Sequence, residues 1–94
     1  MLPIEWNARA SDDLLEIVAY IAQENLPAAI KMRERLETVV LQLAQMPYMF
    51  PMSSRVKGLR ELVAHPNYII LYRVLADKVE IVAIVHARQN LPRI

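Results

Sequence analysis

An α+β fold in the order β-α-α-β-β-β, a helical hairpin packed on a small antiparallel sheet, follows from three features of this 94-residue chain. Two stretches with helical apolar spacing fill the first half, and Asn25-Leu26-Pro27 divides them. Three short β-rich runs fill the second half, and compact turn signals separate them. Neither helix can bury its stripe alone, and the simplest closure lays the hairpin on one face of the sheet.

Each element has its own signal. Residues 2–6 are a short apolar strand, and Asn7 after them is a good N-cap, because its side-chain oxygen accepts from the free amides of a helix start. Ala10, Leu14, Ile17, Val18 and Ile21 recur at helical spacing and make one buried stripe. Asp12, Asp13 and Glu16 lie early in that helix, where the dipole favours anions. Pro27 suits the first turn of a second helix, where its missing N–H costs nothing. That helix runs to about Gln45, with Ala29, Leu36, Val40 and Leu43 as its stripe and Met32 or Arg33 at the edge. Pro47 disfavours helix at Met46. Residues 47–57 form a loop with two prolines. Residues 59–64, 68–75 and 79–85 are the strands, joined by His65-Pro66-Asn67 and Ala76-Asp77-Lys78.

The sheet reads as apolar on both faces. Tyr68, Ile70, Tyr72 and Val74 alternate with Ile69, Leu71 and Arg73; Val79, Ile81, Ala83 and Val85 oppose Glu80, Val82, Ile84 and His86. One face meets the helices. The other is an exposed apolar patch unless a partner covers it. Ile69, Leu71, Val82 and Ile84 are the apolar residues expected to face that partner.

Composition narrows the functions. Hydrophobic residues are 55% of the chain, enough for a small core in one domain. Net charge is +1, but residues 1–50 carry −3 and residues 51–94 carry +4, so the second half is the expected docking surface for an anionic partner. There is no cysteine, hence no disulfide frame and no thiolate metal site. The single glycine, Gly58, excludes a phosphate-cradling loop. No signal peptide and no spanning apolar run is visible, so a cytoplasmic protein with no membrane role is expected. No cofactor or metal is expected.

Arg60, Arg73 and Arg88 punctuate the apolar meander, and His86 sits beside Arg88. With no carboxylate cluster nearby, these four are candidates for target or partner binding, and they do not by themselves imply catalysis. Bland readings stand beside this one. Arg60 and Arg73 fit solvated strand ends, and Arg73 has Glu61 or Glu80 within cross-strand reach, a pairing worth roughly 0.5 kcal/mol. His65 reads as a turn residue; His86 suits either acid–base work or a structural place. Trp6, Tyr20 and Tyr72 read as core, and Met46, Met49 and Met52 as gap fillers or an adaptable contact surface. The polar tail, residues 89–94, reads as a contact segment too short to pack a core element.

The chain resembles the RelE/ParE superfamily of bacterial toxins from type II toxin–antitoxin modules. The resemblance rests on Trp6, the Asp13-Leu14 to Tyr20-Ile21 helix, Pro47, Gly58-Leu59-Arg60-Glu61, His65-Pro66-Asn67-Tyr68, Leu71-Tyr72-Arg73-Val74 and Val85-His86-Ala87-Arg88. It covers essentially the whole chain and is closer to the ParE branch. It implies a RelE/ParE-like fold, a cognate antitoxin whose disordered segment folds onto the toxin, and inhibition of DNA gyrase by binding. RelE-like members instead cleave messenger RNA in the ribosome with a cluster of basic side chains. Against that pattern this chain offers Arg60 and Arg88. Leu62 and Ile69 stand where further basic residues are expected, and no tyrosine follows Arg88. A non-catalytic inhibitor is therefore expected, with direct nucleic-acid binding outside the expectation. The alternatives are a RelE-like endoribonuclease using Arg60, His86 and Arg88, and an inert remnant that only binds its antitoxin.

Overall fold

In the computed structural model, which describes residues 1–88, asparagine opens both helices. Asn7 Oδ1 accepts the Ala10 amide at 2.8 Å and Asn25 Oδ1 accepts the Ala28 amide at 3.0 Å. The elements are strand β1 (Ile4–Trp6), helices α1 (Ala8–Ala22) and α2 (Leu26–Val39), a 3-10 segment (Val40–Ala44), and strands β2 (Arg60–His65), β3 (Tyr68–Val74) and β4 (Val79–His86). The expected second helix thus tightens into 3-10 winding over its last turn.

The four strands lie in the order β1-β4-β3-β2. The meander β2-β3-β4 is antiparallel, as expected, but β1 runs parallel to β4, with Ile4 opposite Val79 and Trp6 opposite Ile81. The sheet is mixed. A parallel neighbour needs a long crossover, and the helical hairpin belongs to it.

On one face, Leu14, Leu36, Val40 and Leu43 pack against Leu62, Ile70, Tyr72, Val79 and Ile81. On the other, Ile69, Leu71, Ala83 and Val85 pack with Leu59, and Val56 lies against them. The expected open apolar face is therefore closed by the chain's own loop. Ser53 fastens that loop: its Oγ donates to Glu61 Oε2 at 2.6 Å and accepts the amides of Arg55 and Val56, each at 3.0 Å. Arg55 Nη1 then reaches the Ala87 carbonyl at 3.0 Å, and Gly58 turns the loop back into β2 at φ +86°.

One expected alternation fails. Leu71 pairs with Ala83 but Tyr72 pairs with Ile81, so Val82 is an extra residue in β4. Such a bulge reverses the side-chain direction beyond it. Val79 and Ile81 face the helices, Ala83 and Val85 face away, and Ile84 returns to the helical side. Asp13 Oδ2 accepts the Ile84 amide at 3.0 Å, tying α1 to the strand just past the bulge. Tyr20, expected in the core, is 73% exposed, because it lies on the flank of the α1 stripe. Trp6 and Tyr72 are packed as expected.

Candidate functional site

The four polar candidates do not converge. Arg60 shares the helical side of the sheet with its cross-strand partner Tyr72. Its Nη1 donates to the Phe50 carbonyl at 2.7 Å, and its guanidinium sits 5.0 Å from the centroid of the Tyr48 ring. Tyr72, beneath, donates its hydroxyl to the Pro47 carbonyl at 2.9 Å. Burial pushes the Tyr72 phenol above its ordinary value, with the Phe50 backbone and Arg60 pulling the other way. Both side chains therefore hold down residues 47–50 as well as marking a surface.

Arg73 points to the opposite face and pairs with Glu80, Nε to Oε1 at 2.6 Å. Of the two acids within reach in sequence, Glu61 is taken by Ser53 and Arg55. His86 lies at the other end of the sheet. Its ring stands edge-on to Tyr68 at 5.6 Å, and Tyr68 in turn lies 5.8 Å from His65. His65 Nδ1 accepts the Asn67 amide at 3.0 Å, the expected turn role. Arg88 is exposed just beyond, its amide donating to His86 Nδ1 at 3.3 Å. Tyr68 pairs with His86 and Arg73 with Glu80, so five residues of β3, about 17 Å, separate the two ends. Leu62 and Ile69 are 0% and 3% exposed and belong to opposite cores.

The apolar candidates need correction. Ile69 and Leu71 lie in the loop-covered cluster, Val82 is the half-buried bulge residue, and Ile84 belongs to the helical side. They do not form one open face. The reading of residues 89–94 lies outside the described residues.

Among the described residues, apart from Met1, Leu41 in the 3-10 segment and Val63 at the edge of the far face, the open apolar surface gathers in two places. On the hairpin, Leu15, Tyr20, Leu26 and Ile30 are exposed. A cleft of about 350 Å3 runs beside Leu15, lined also by Trp6, Ser11, Leu14, Arg33 and Glu37. In the loop after the 3-10 segment, Met46, Tyr48, Met49 and Met52 are exposed. Sequence reasoning treated the methionines as filler or contact; all three are at the surface. Leu15 carried a signal that was not used, since adjacent Leu14 and Leu15 cannot both face inward on a helix. Among the described residues no three His, Asp or Glu side chains gather as a metal would require, and no helix is long and apolar enough to cross a membrane.

Comparison with known proteins gives a consistent result. The family model described as "ParE toxin of type II toxin-antitoxin system, parDE" matches residues 4–91. The Sinorhizobium fredii protein Y4kP, whose name marks it as a candidate toxin, is 41% identical over 92 residues, 97% of this chain and 94% of its own length. Toxin RelE2 of Caulobacter vibrioides is 40% identical over 87 residues, 93% of this chain and 97% of its own. A solved structure of the chromosomal ParDE system from P. aeruginosa superimposes with a TM-score of 0.81 at 24% identity, covering 92% of this chain and 96% of that one. The toxin–antitoxin complex DinJ-YafQ of E. coli follows at 0.58 and 15%, with 90% and 91% covered. The two structures bear on the fold alone.

Proposed function

The chain belongs to the ParE family of toxins from type II toxin–antitoxin systems, and from that premise we propose that it arrests growth by binding DNA gyrase, carries out no reaction of its own, and is neutralised in the cytoplasm by a cognate antitoxin. The observation that carries this reading is the scatter of its basic groups. Arg60 and Arg73 lie on opposite faces at one end of the sheet, and His86 and Arg88 lie about 17 Å away along β3. Phosphoryl transfer needs donors and an acid–base pair around one reacting phosphate. Leu62 and Ile69 keep further charge away, since each is fixed in a core.

The hairpin supports the antitoxin half of the reading. The sheet face is largely covered, so the hairpin surface, with exposed Leu26 and Ile30 and with Leu15 beside the cleft, is the apolar site left for a folding segment of the antitoxin. The complex should bury upward of about 1,200 Å2 in total.

A second reading is kept for one reason, the 40% identity to Toxin RelE2. Ribosome-dependent mRNA cleavage would then use Arg60, His86 and Arg88. Purified toxin assayed for inhibition of gyrase supercoiling, beside a translating extract probed for mRNA fragments, separates the two. Supercoiling should be inhibited and the mRNA left intact. Codon-specific fragments with gyrase unaffected reverse the assignment.

A further inference from the structure

We propose that the loop of residues 46–52, together with Arg60, is the surface that docks the toxin's target, and that it takes an acidic side chain flanked by apolar ones. The surface is built and held. Phe50 packs against the main core, the Pro47 carbonyl is pinned by Tyr72, and Met52 bridges to Arg60 across the strand edge. Met49 closes the turn by donating its amide to the Met46 carbonyl at 3.2 Å. Around this frame Met46, Tyr48, Met49 and Met52 are all more than half exposed, and Tyr48 is 67% exposed. Methionine surfaces adapt to varied partners, and Tyr and Arg are the side chains that most often anchor an interface.

The charge argues for the occupant. Arg60 is held over the Tyr48 ring and gives one hydrogen bond, to Phe50. No carboxylate among the described residues pairs with it; Glu61, its neighbour in β2, faces the other side and is tied to Ser53 and Arg55. A planar guanidinium with free donors accepts a carboxylate in a two-pronged pair. A nucleic-acid backbone needs several cations in a row, whereas here a single guanidinium stands over a phenol ring, with Met52 bridged to its strand.

The antitoxin is the other partner, and the hairpin already offers it a separate apolar surface. The patch lies beyond the end of α2, whose 14 residues rise about 21 Å from Leu26. The cleft on the hairpin reaches along α2 to Glu37 and lies nearer, but its lining shares no residue with the loop of residues 46–52, and two distinct surfaces fit two partners.

This inference rests on the gyrase reading only for the target's identity. The test compares the parent toxin with a Tyr48→Ser/Met49→Ser double variant and with Arg60→Gln. The readouts are growth arrest on induction, inhibition of the purified gyrase holoenzyme, affinity for the co-purified antitoxin, and melting temperature. The double variant, changed only at exposed side chains, should lose growth arrest and inhibit gyrase at least ~10-fold less, the scale of a lost hot spot. Its antitoxin affinity and melting temperature should stay at the parent's values. Arg60→Gln should lose arrest as well. An equally expressed double variant that still arrests growth overturns the proposal, as does one that loses antitoxin affinity together with arrest. If the parent arrests growth without touching gyrase, the gyrase reading fails, and the growth arm alone decides the patch.

Discussion

Asp13 shows how far a residue's place in the sequence understates its work. It reads as one of three acids favoured by the start of a helix. In the fold its Oδ1 meets Arg9 Nε at 3.3 Å while Oδ2 takes the Ile84 amide past the bulge. Asp13→Ala leaves that amide without an acceptor and should cost about 1–3 kcal/mol in chemical denaturation. Asp13→Asn keeps an acceptor oxygen and should cost less. Arg73→Ala, by contrast, removes an exposed cross-strand pair and should change stability by no more than ~1 kcal/mol. Tyr72 sets an alkaline limit. Its phenol is held above the ordinary value by burial, so the unfolded chain ionises first as pH rises. Stability is full below the unfolded value of 10.0 and falls as pH climbs through the folded one. In denaturation curves above that pH, Tyr72→Phe should lose less than the parent, although it forfeits the bond to Pro47. The Arg73–Glu80 pair was legible because strand alternation places both on one face. The Arg60–Phe50 contact was not, since a loop with two prolines has no period to read.

At the level of elements, periodicity located both helices and all four strands, and Asn7 marked where the first helix starts, while Asn25 reads as part of the break between the helices and proves to cap the second. Two things escaped it. The parallel pairing of β1 depends on where the hairpin returns the chain, which a three-residue strand does not encode by itself. The bulge at Val82 is silent in a run where every second residue is apolar either way, so Val79 and Ile81 keep the face expected of them while the assignments of Ala83, Ile84 and Val85 beyond it came out wrong together. The loop that covers the far face was equally hidden, because Ser53 and Val56 act through a compact turn. Gly58 is its testable joint. At φ +86° an added Cβ meets nothing within 4 Å, so Gly58→Ala should suffer only backbone strain, about 1–2 kcal/mol, read as a fall in denaturation midpoint. On the hairpin, Leu15→Glu should leave the melting temperature unchanged, since Leu15 is exposed, and weaken antitoxin binding by at least ~10-fold in calorimetry, as expected of a charge buried in an apolar contact. Unchanged affinity would move the antitoxin off the hairpin.

For the molecule as a whole, the position of β4 has a consequence for its synthesis. This strand sits inside the sheet between β1 and β3, and α1 is tied to it, yet it comes last among the described elements. Its partner β1 is the first, so Ile4 must wait for Val79 before either is paired. Contacts this distant in sequence form late and slowly. A nascent chain still lacking β4 has its helices and the β2–β3 hairpin but no inner strand on which to assemble them. A fragment ending at residue 75 should show no cooperative melting by circular dichroism and no growth arrest when expressed. By this account interrupted translation before β4 should release fragments that do no harm, so that toxicity appears only once this inner strand has been made.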